Sequence, residues 1–78
     1  MLRKLEKYEV LDEIGHGGIA TVYRARDSSL DRFVALKVLH PEMAGRSRAV
    51  RRLQREARTA GRLAHPNIVA AIDMGESG

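Results

Sequence analysis

Three features of this 78-residue chain could do chemistry together: a glycine-rich stretch, a lysine within an apolar run, and a glutamate among arginines. Residues 15–23 contain Gly15, Gly17 and Gly18. Glycine lets the backbone approach a ligand closely, and backbone N–H groups can hold a phosphate. Lys37 interrupts the apolar run 33–39, and Glu56 lies within the basic segment 46–62. Phosphate loop, cation and carboxylate together indicate a nucleotide-handling site.

The glycine-rich stretch matches the known phosphate-binding loop motifs only in part. Gly15-x-Gly17-x-x-Ala20 is a degenerate G-x-G-x-x-G motif. A dinucleotide-binding unit needs a helix directly after the loop, whereas residues 21–23 favour a strand. A Walker loop fails because no Lys-Ser/Thr pair follows the glycines. Two alternatives stay open: a flexible hairpin turn, or a glycine-rich hairpin that covers a phosphate.

The elements that must position these residues follow from apolar patterning and from turn residues. The sequence predicts strands over residues 8–14, 20–25, 33–39 and 68–72, a turn over 27–31 and a helix over 47–63. Ser47 is the expected N-cap of this helix. His65-Pro66 stops it, because the residue before a proline is disfavoured in helical conformation. The predicted fold class is α+β, with an antiparallel sheet and one helix.

Lys37 and Glu56 are both predicted to point inward. Lys37 shares a strand face with Ala35 and Leu39, so its amine needs an anion or a route to water. On a helical wheel Glu56 falls in the apolar sector, away from most arginines. A buried carboxylate needs a partner, and Lys37 is the expected one. The alternative is a local Arg52–Glu56 pair, worth only about 0.3–0.5 kcal/mol if exposed.

Composition excludes several classes of protein. The chain has no cysteine, which rules out disulfides and thiolate zinc sites. Its apolar runs fall short of the roughly 18 residues of a membrane span, and its charged start does not resemble a signal peptide. We therefore expect a cytoplasmic chain without a membrane contact in this segment. The net charge is +4, with arginines concentrated in 46–62. That segment is interpreted as a solvated helix face, and no nucleic-acid partner is expected, because base-stacking aromatics are missing there.

In their order along the chain, the motifs resemble the small lobe of a protein kinase, most nearly that of bacterial eukaryotic-type serine/threonine kinases. The matching segments are Ile14-Gly15-His16-Gly17-Gly18-Ile19-Ala20-Thr21-Val22-Tyr23, Ala25-Arg26-Asp27, Val34-Ala35-Leu36-Lys37-Val38-Leu39, Arg55-Glu56-Ala57 and Leu63-Ala64-His65-Pro66-Asn67-Ile68-Val69. Ala20 stands where the general pattern has a third glycine, as is common in that bacterial subgroup. The resemblance implies a partial kinase domain over residues 8–78, after an extension over 1–7.

The resemblance also implies a cofactor, ATP, and a role for each matching residue. Lys37 would bind the α- and β-phosphates and pair with Glu56 of the regulatory helix; these two are the expected catalytic residues. The glycines would cover the phosphates, the apolar residues would contact the adenine, and His65 would be structural. The residues expected to contact ATP are Ile14, Gly15, His16, Gly17, Gly18, Ala20, Val22, Ala35 and Lys37.

Several parts of the kinase pattern are not encoded in the chain. The H-R-D catalytic loop and the D-F-G aspartate are absent, so the Mg²⁺ ligands and the protein-substrate site are expected in a missing large lobe. The resemblance therefore implies a fragment that transfers no phosphate by itself. The alternative is a non-catalytic basic module that binds nucleic acid or an acidic protein through residues 46–62.

The resemblance further implies an incomplete sheet. In the kinase small lobe the fifth strand lies between the third and fourth, so residues 68–72 and one edge of strand 33–39 are expected to be unpaired. Apolar surface is then expected to be exposed, and self-association is expected from that surface and from the open strand edges. The residues concerned are Ala25, Leu36, Ala70, Ala71 and Ile72.

Overall fold

The computed structural model describes residues 3–59, 65 and 67–74. Its elements are β1 (Arg3–Leu5), β2 (Tyr8–His16), β3 (Ala20–Asp27), β4 (Arg32–Leu39), a 3-10 turn (Pro41–Met43), α1 (Arg48–Thr59) and β5 (Ile68–Asp73). The predicted α+β fold, its four strands and its helix are confirmed. The predicted last turn of the helix, residues 60–63, lies outside the described residues. β1 and the 3-10 turn were not predicted.

The five strands form one antiparallel sheet in the order β1-β2-β3-β4-β5. β1 joins β2 through a two-residue turn in which Glu6 has a φ of 56°. Two register shifts interrupt the β2–β3 pairing, one between Val10 and Asp12 and one between Glu13 and Gly15. Such bulges bend and twist a strand locally. The second one lies directly before the glycine-rich loop.

β5 pairs directly with β4, which corrects the expectation that both strands would have an open edge between them. Leu36 faces Ala71 and Lys37 faces Ala70 across this antiparallel pair. Backbone N–H and C=O groups need hydrogen-bond partners, and the two strands supply them to each other. The expected gap for a further strand is therefore closed, and one edge of β5 remains as an edge of the sheet.

One face of the sheet carries the main core. Its buried members are Tyr8, Val10, Ala25, Val34, Leu36, Val38 and Ile68, with Leu5, Tyr23 and Ala71 partly buried against them. The expectation that Ala25 and Leu36 expose apolar surface is wrong, because both are fully buried in this cluster. Ala70 and Ala71 are half-buried. Ile72 is 64% exposed, as predicted.

The opposite face holds the helix through a smaller cluster. Ala20, Leu39 and Val50 are buried there, with Ile19 and Val69 packed against them. Ser47 is the N-cap of α1, as predicted: its hydroxyl oxygen accepts a hydrogen bond from the Val50 N–H at 3.1 Å. The cap satisfies one of the unpaired N–H groups at the helix start.

Candidate functional site

The residues expected to hold phosphate lie in one row across the sheet. Gly15 on β2 faces Val22 on β3, Val22 faces Lys37 on β4, and Lys37 faces Ala70 on β5. Residues directly opposite each other on antiparallel strands project from the same side of the sheet. With about 4.8 Å between strands, Lys37 lies roughly 10 Å from Gly15. Lys37 is exposed, although its strand neighbours Leu36 and Val38 are buried. Its ammonium group is therefore available to a ligand beside the glycine-rich loop.

The loop itself is a tight hairpin with open space above it. The Gly17 N–H donates to the Ala20 carbonyl oxygen at 2.8 Å, which closes the turn between β2 and β3. A methyl group added at Gly15, Gly17 or Gly18 would meet no atom within 4 Å. None of these three glycines has a positive φ, in contrast to Gly45. The fold itself therefore has no steric need for glycine here, and the space above the loop is open to the close approach of a ligand.

The other loop residues differ in their exposure. His16 is exposed, with its Nδ1 atom 3.3 Å from the Glu13 carboxylate. Ala20 is buried and contacts Leu39 and Val50 in the helix-side cluster. The Ala20 side chain therefore anchors the end of the loop to the fold rather than lining its open side.

Apolar residues border the same row. Ile14 is 48% exposed and sits at the bulge next to Gly15. Val22 and Ala35 are half-buried, and Ala35 is two residues from Lys37 on the same strand face. Ile72 stands opposite Ala35 across the β4–β5 pair. This apolar surface next to a cation suits a ligand with a flat ring system and charged phosphates.

A polar contact that was not predicted from the sequence connects the base of the glycine-rich loop to the residue after β4. Thr21 and His40 are hydrogen-bonded through Oγ1 and Nε2 at 3.0 Å. The His40 N–H also donates to the Ile19 carbonyl oxygen at 2.9 Å. These bonds tie the end of β4 to the base of the glycine loop. No local sequence pattern indicates the Thr21–His40 contact, because the two residues are 19 positions apart.

Lys37 and Glu56 are not brought together. The Glu56 side chain is 61% exposed, and its Oε1 atom accepts a hydrogen bond from Arg52 Nε at 3.1 Å. Within residues 3–59, 65 and 67–74 the structure shows no ion pair for Lys37. The local Arg52–Glu56 pair, weighed as the alternative in the sequence, is thus the one that forms in this arrangement.

The rotation of the helix explains this outcome. The buried residues of α1 are Val50 and Ala57, which contact the sheet side. At 100° per residue they lie roughly 100–120° around the helix from Glu56. The helical wheel placed Glu56 in the apolar sector, whereas the buried side of the helix is centred on Val50 and Ala57. The carboxylate is therefore turned away from the sheet.

The turn at residues 27–31 contains a buried charge that the sequence did not reveal. Asp27 is fully buried, and its Oδ1 atom accepts bonds from Ser29 N–H, Ser29 Oγ and Leu30 N–H at 3.0, 2.7 and 3.3 Å. Lys7 and Arg32 approach Oδ2 at 3.6 and 3.7 Å. Burial alone would raise the pKa of Asp27, but these hydrogen bonds and the Lys7 charge outweigh it and hold that pKa below its ordinary value. The turn is therefore a fixed end of the β3–β4 hairpin.

His65 also has a structural role, as predicted. Its Nδ1 atom accepts a hydrogen bond from the Asn67 N–H at 3.1 Å. Among the residues that the structure describes, no cluster of histidine, aspartate and glutamate has the makings of a metal site. The same part of the chain contains no helix long and apolar enough to cross a membrane.

Comparison with known proteins defines the class to which this chain belongs. Residues 8–78 match the family described as "Protein kinase domain". The chain therefore belongs to the protein kinase domain family, as its ordered motifs predicted. No solved structure matches the chain.

The similar curated proteins are bacterial serine/threonine kinases, which confirms the predicted subgroup. The chain is 49% identical over 70 residues to the serine/threonine-protein kinase PrkC of Bacillus subtilis. It is 48% identical over 71 residues to the serine/threonine-protein kinase pkn3 of Myxococcus xanthus. These alignments cover 90% and 91% of this chain but only 11% and 13% of the two relatives. The chain thus spans about an eighth or less of their length.

Proposed function

We propose that this chain is the ATP-binding, N-terminal portion of a kinase that transfers phosphate to serine or threonine of a protein. The observation that carries the proposal is the row Gly15–Val22–Lys37, in which an exposed cation stands beside an open glycine loop on one sheet face. The serine/threonine-kinase relatives support the substrate class. A cytoplasmic location belongs to the same proposal, because ATP is available there.

In this proposal the chain's own residues bind and orient the nucleotide. Lys37 neutralises the α- and β-phosphates, and the open backbone at Gly15, Gly17 and Gly18 lets them approach. His16 lies at the loop tip, and Ala20 anchors the loop to the core. The adenine would lie on Ile14, Val22 and Ala35, the apolar residues that border the row.

Magnesium does not fit the residues that the structure describes. No described cluster of carboxylates lies near Lys37, and phosphoryl transfer relies on metal-centred charge stabilisation. The Mg²⁺ ligands, the catalytic base and the protein-substrate site therefore belong to other parts of the parent kinase in this proposal. We expect the 78-residue chain alone to transfer no phosphate, and to self-associate through the exposed edge at Ile72.

The Lys37–Glu56 pair remains part of the proposal as a second arrangement of the helix. It requires α1 to turn by roughly 100° about its axis, so that Glu56 faces the sheet. It also requires Glu56 to leave Arg52, its partner in the arrangement described above. An exposed i,i+4 pair is worth only about 0.3–0.5 kcal/mol, so breaking the Arg52–Glu56 pair is a small part of the free-energy cost of turning the helix.

Binding of ATP to the isolated chain tests the proposal. We expect weak, saturable binding with a Kd of about 1 mM or above, because half of the site is not encoded here. Chemical shifts of backbone amides at Gly17 and Val22 should move during an ATP titration. Lys37→Ala should weaken this binding at least about tenfold, equal to about 1.4 kcal/mol.

The matched control is Lys4→Ala, which removes another exposed lysine from the sheet. It should leave ATP binding unchanged. Equal losses of ATP affinity in the two variants would show that binding depends only on the net charge of the chain, and the proposal would then be wrong. Phosphate transfer from labelled ATP to a protein by the wild-type chain, absent in the Lys37→Ala variant, would refute the expected inactivity.

A further inference from the structure

The arginines of this chain fall into two groups that differ in their partners. On the sheet, each described arginine side chain of β3 and β4 meets a carboxylate. Arg24 bonds Asp12 at 2.7 Å. Arg26 bonds Glu9 at 3.1 Å and also bonds Asp31, and Arg32 bonds Asp73 at 2.8 Å. The described arginines of β3 and β4 are therefore all paired with carboxylates.

The arginines of the helix differ in this respect. α1 contains five arginines and one glutamate, and all five arginines are exposed. Arg52 pairs with Glu56, and Arg51 donates to the Gly45 carbonyl oxygen at 3.1 Å. In the part of the chain that the structure describes, the side chains of the other three arginines of α1 have no hydrogen bond or ion pair. We call the five the arginine face: Arg48, Arg51, Arg52, Arg55 and Arg58.

This concentration of charge is unfavourable for the helix itself. Like charges at i,i+3 and i,i+4 repel, as do Arg48–Arg52 and Arg51–Arg55. The first turn of α1 contains no acidic residue, so basic side chains also oppose the helix dipole there. An external anion would relieve both effects, whereas water and salt only screen them.

An open groove with an apolar floor borders the arginine face on the side of Glu56. Arg48, Arg52 and Glu56 form its rim, and Ala49 and Leu53 form its floor, around a volume of about 580 Å³. An apolar side chain could enter between the guanidinium groups. A purely ionic ligand would leave that floor uncovered.

We propose that the arginine face docks an extended acidic segment of a partner protein. Carboxylates stand at alternate positions of this segment, and an apolar side chain takes the place of one of them, so that all of these side chains lie on the same side of the strand. Alternate residues of an extended strand recur about every 6.6 Å on one side. Arginines at i,i+4 recur about every 6 Å along the helix, as Arg48–Arg52 and Arg51–Arg55 do. Guanidinium groups bind carboxylates in a bidentate, planar geometry, so matching spacing allows several pairs at once. The face is about 15 Å long and fits four to five extended residues.

The same features disfavour two other anionic partners. Single-stranded nucleic acid is usually held by aromatic side chains that stack on bases, and α1 contains none. An amphipathic helix that binds a membrane inserts its apolar face, whereas Val50 and Ala57 of α1 are buried against this protein's own fold. Both partners are included as alternatives in the test.

The test uses the full 78-residue chain and a fluorescent peptide with glutamate at alternate positions and leucine in place of the central glutamate, so that these side chains share one side of the extended peptide. Its binding is measured by anisotropy at low and at physiological salt, beside a peptide with glutamine in place of glutamate. We expect saturable binding of the acidic peptide that weakens as salt rises. The double variant Arg48→Gln/Arg55→Gln should lose at least about tenfold in affinity, equal to about 1.4 kcal/mol.

The matched control is Arg24→Gln/Arg26→Gln, which removes the same charge from the sheet. It should change the affinity less than about threefold, with far-UV circular dichroism confirming that both variants are folded. Equal losses in the two variants, or equal binding of the glutamine peptide, would overturn the proposal.

Two further titrations identify the partner class. An oligothymidylate of equal charge and vesicles with a quarter of anionic phosphatidylserine should bind more weakly than the acidic peptide. Tighter binding of either would overturn the proposal in favour of that partner. Because the helix variant retains Lys37 and the glycine loop, its ATP binding should be unchanged. A failure of the acidic-segment proposal is thereby distinguishable from a failure of the ATP-site proposal.

Discussion

Replacing Asp27 by alanine should destabilise this fold more than a change at any exposed carboxylate. Asp27 is fully buried, and its Oδ1 atom accepts three hydrogen bonds from Ser29 and Leu30. Its Oδ2 atom lies 3.6 Å from Lys7 Nζ and 3.7 Å from Arg32 Nε. The alanine variant would therefore lose the three hydrogen bonds that hold the turn, and it would leave the buried Arg32 Nε atom without its nearest carboxylate.

The contacts set the expected size of this effect. Hydrogen bonds to a charged group contribute about 1.5–3 kcal/mol each at most, and the three bonds to Oδ1 share one acceptor atom. We therefore expect a total loss of about 3 kcal/mol for Asp27→Ala, a drop in Tm of roughly 12–24 °C for a domain of this size. Asp27→Asn keeps an acceptor oxygen but removes the charge, so about 1–1.5 kcal/mol is expected.

The assay is urea unfolding followed by circular dichroism at 10 °C, with Asp31→Asn as the control. Asp31 lies in the same turn, but its side chain is 79% exposed. Its pair with Arg26 should be worth less than about 1 kcal/mol. Asparagine also tolerates the positive φ of 50° at that position. The Asp31→Asn variant should therefore stay close to the wild type.

The pH dependence supplies an independent check. The pKa of Asp27 is lowered in the folded chain, so its charge stabilises the fold above the ordinary value of about 3.9. That contribution is lost as the pH falls through the lower, folded pKa. The gap in unfolding free energy between wild type and Asp27→Asn should shrink below about pH 4. A gap that stays constant down to pH 2, or an Asp27→Ala loss under about 0.5 kcal/mol at pH 7, would refute this reasoning.

Four further substitutions probe the loop, the helix and the sheet edge. Thr21→Val should cost about 1 kcal/mol in thermal unfolding, because it removes the bond to His40; an unchanged Tm would contradict that contact. Ser47→Ala should cost about 1 kcal/mol and reduce helicity in far-UV circular dichroism, whereas equal helicity would show that the cap contributes little. Gly17→Ala should keep or raise the stability, because the added methyl group meets open space, yet it should weaken ATP binding measured by titration. Ile72→Lys should reduce any self-association seen in sedimentation, since it places a charge on an exposed edge strand.

Local patterns in the sequence were sufficient for most elements of the fold. The apolar run around Lys37 predicted β4, and Ser47 predicted the start of α1. β1 escaped prediction because Arg3–Leu5 has no alternating pattern. Its pairing depends on a turn in which Glu6, not glycine, takes the positive φ.

Tertiary choices could not be predicted from single residues. The direct β4–β5 pair forms because two strands with free backbone groups lie within reach of each other, whereas family resemblance placed another strand between them. The contact of Asp27 with Lys7 joins segments that are distant along the chain. For the candidate site, the resemblance named Gly15, Val22 and Lys37, but neither the row in which they lie nor the rotation of α1 was predicted.

Which contacts keep Glu56 away from Lys37 can be decided from magnitudes. In the Arg52–Glu56 pair the glutamate side chain is 61% exposed, and such a pair contributes about 0.3–0.5 kcal/mol. Val50, in contrast, is 3% exposed, and burying a valine side chain contributes about 1.5 kcal/mol or more. Packing of Val50 therefore fixes the helix rotation more firmly than the ion pair does. A partner that only competes for Arg52 would leave Glu56 turned outward, whereas one that replaces the contacts of Val50 with the sheet would allow Glu56 to reach Lys37.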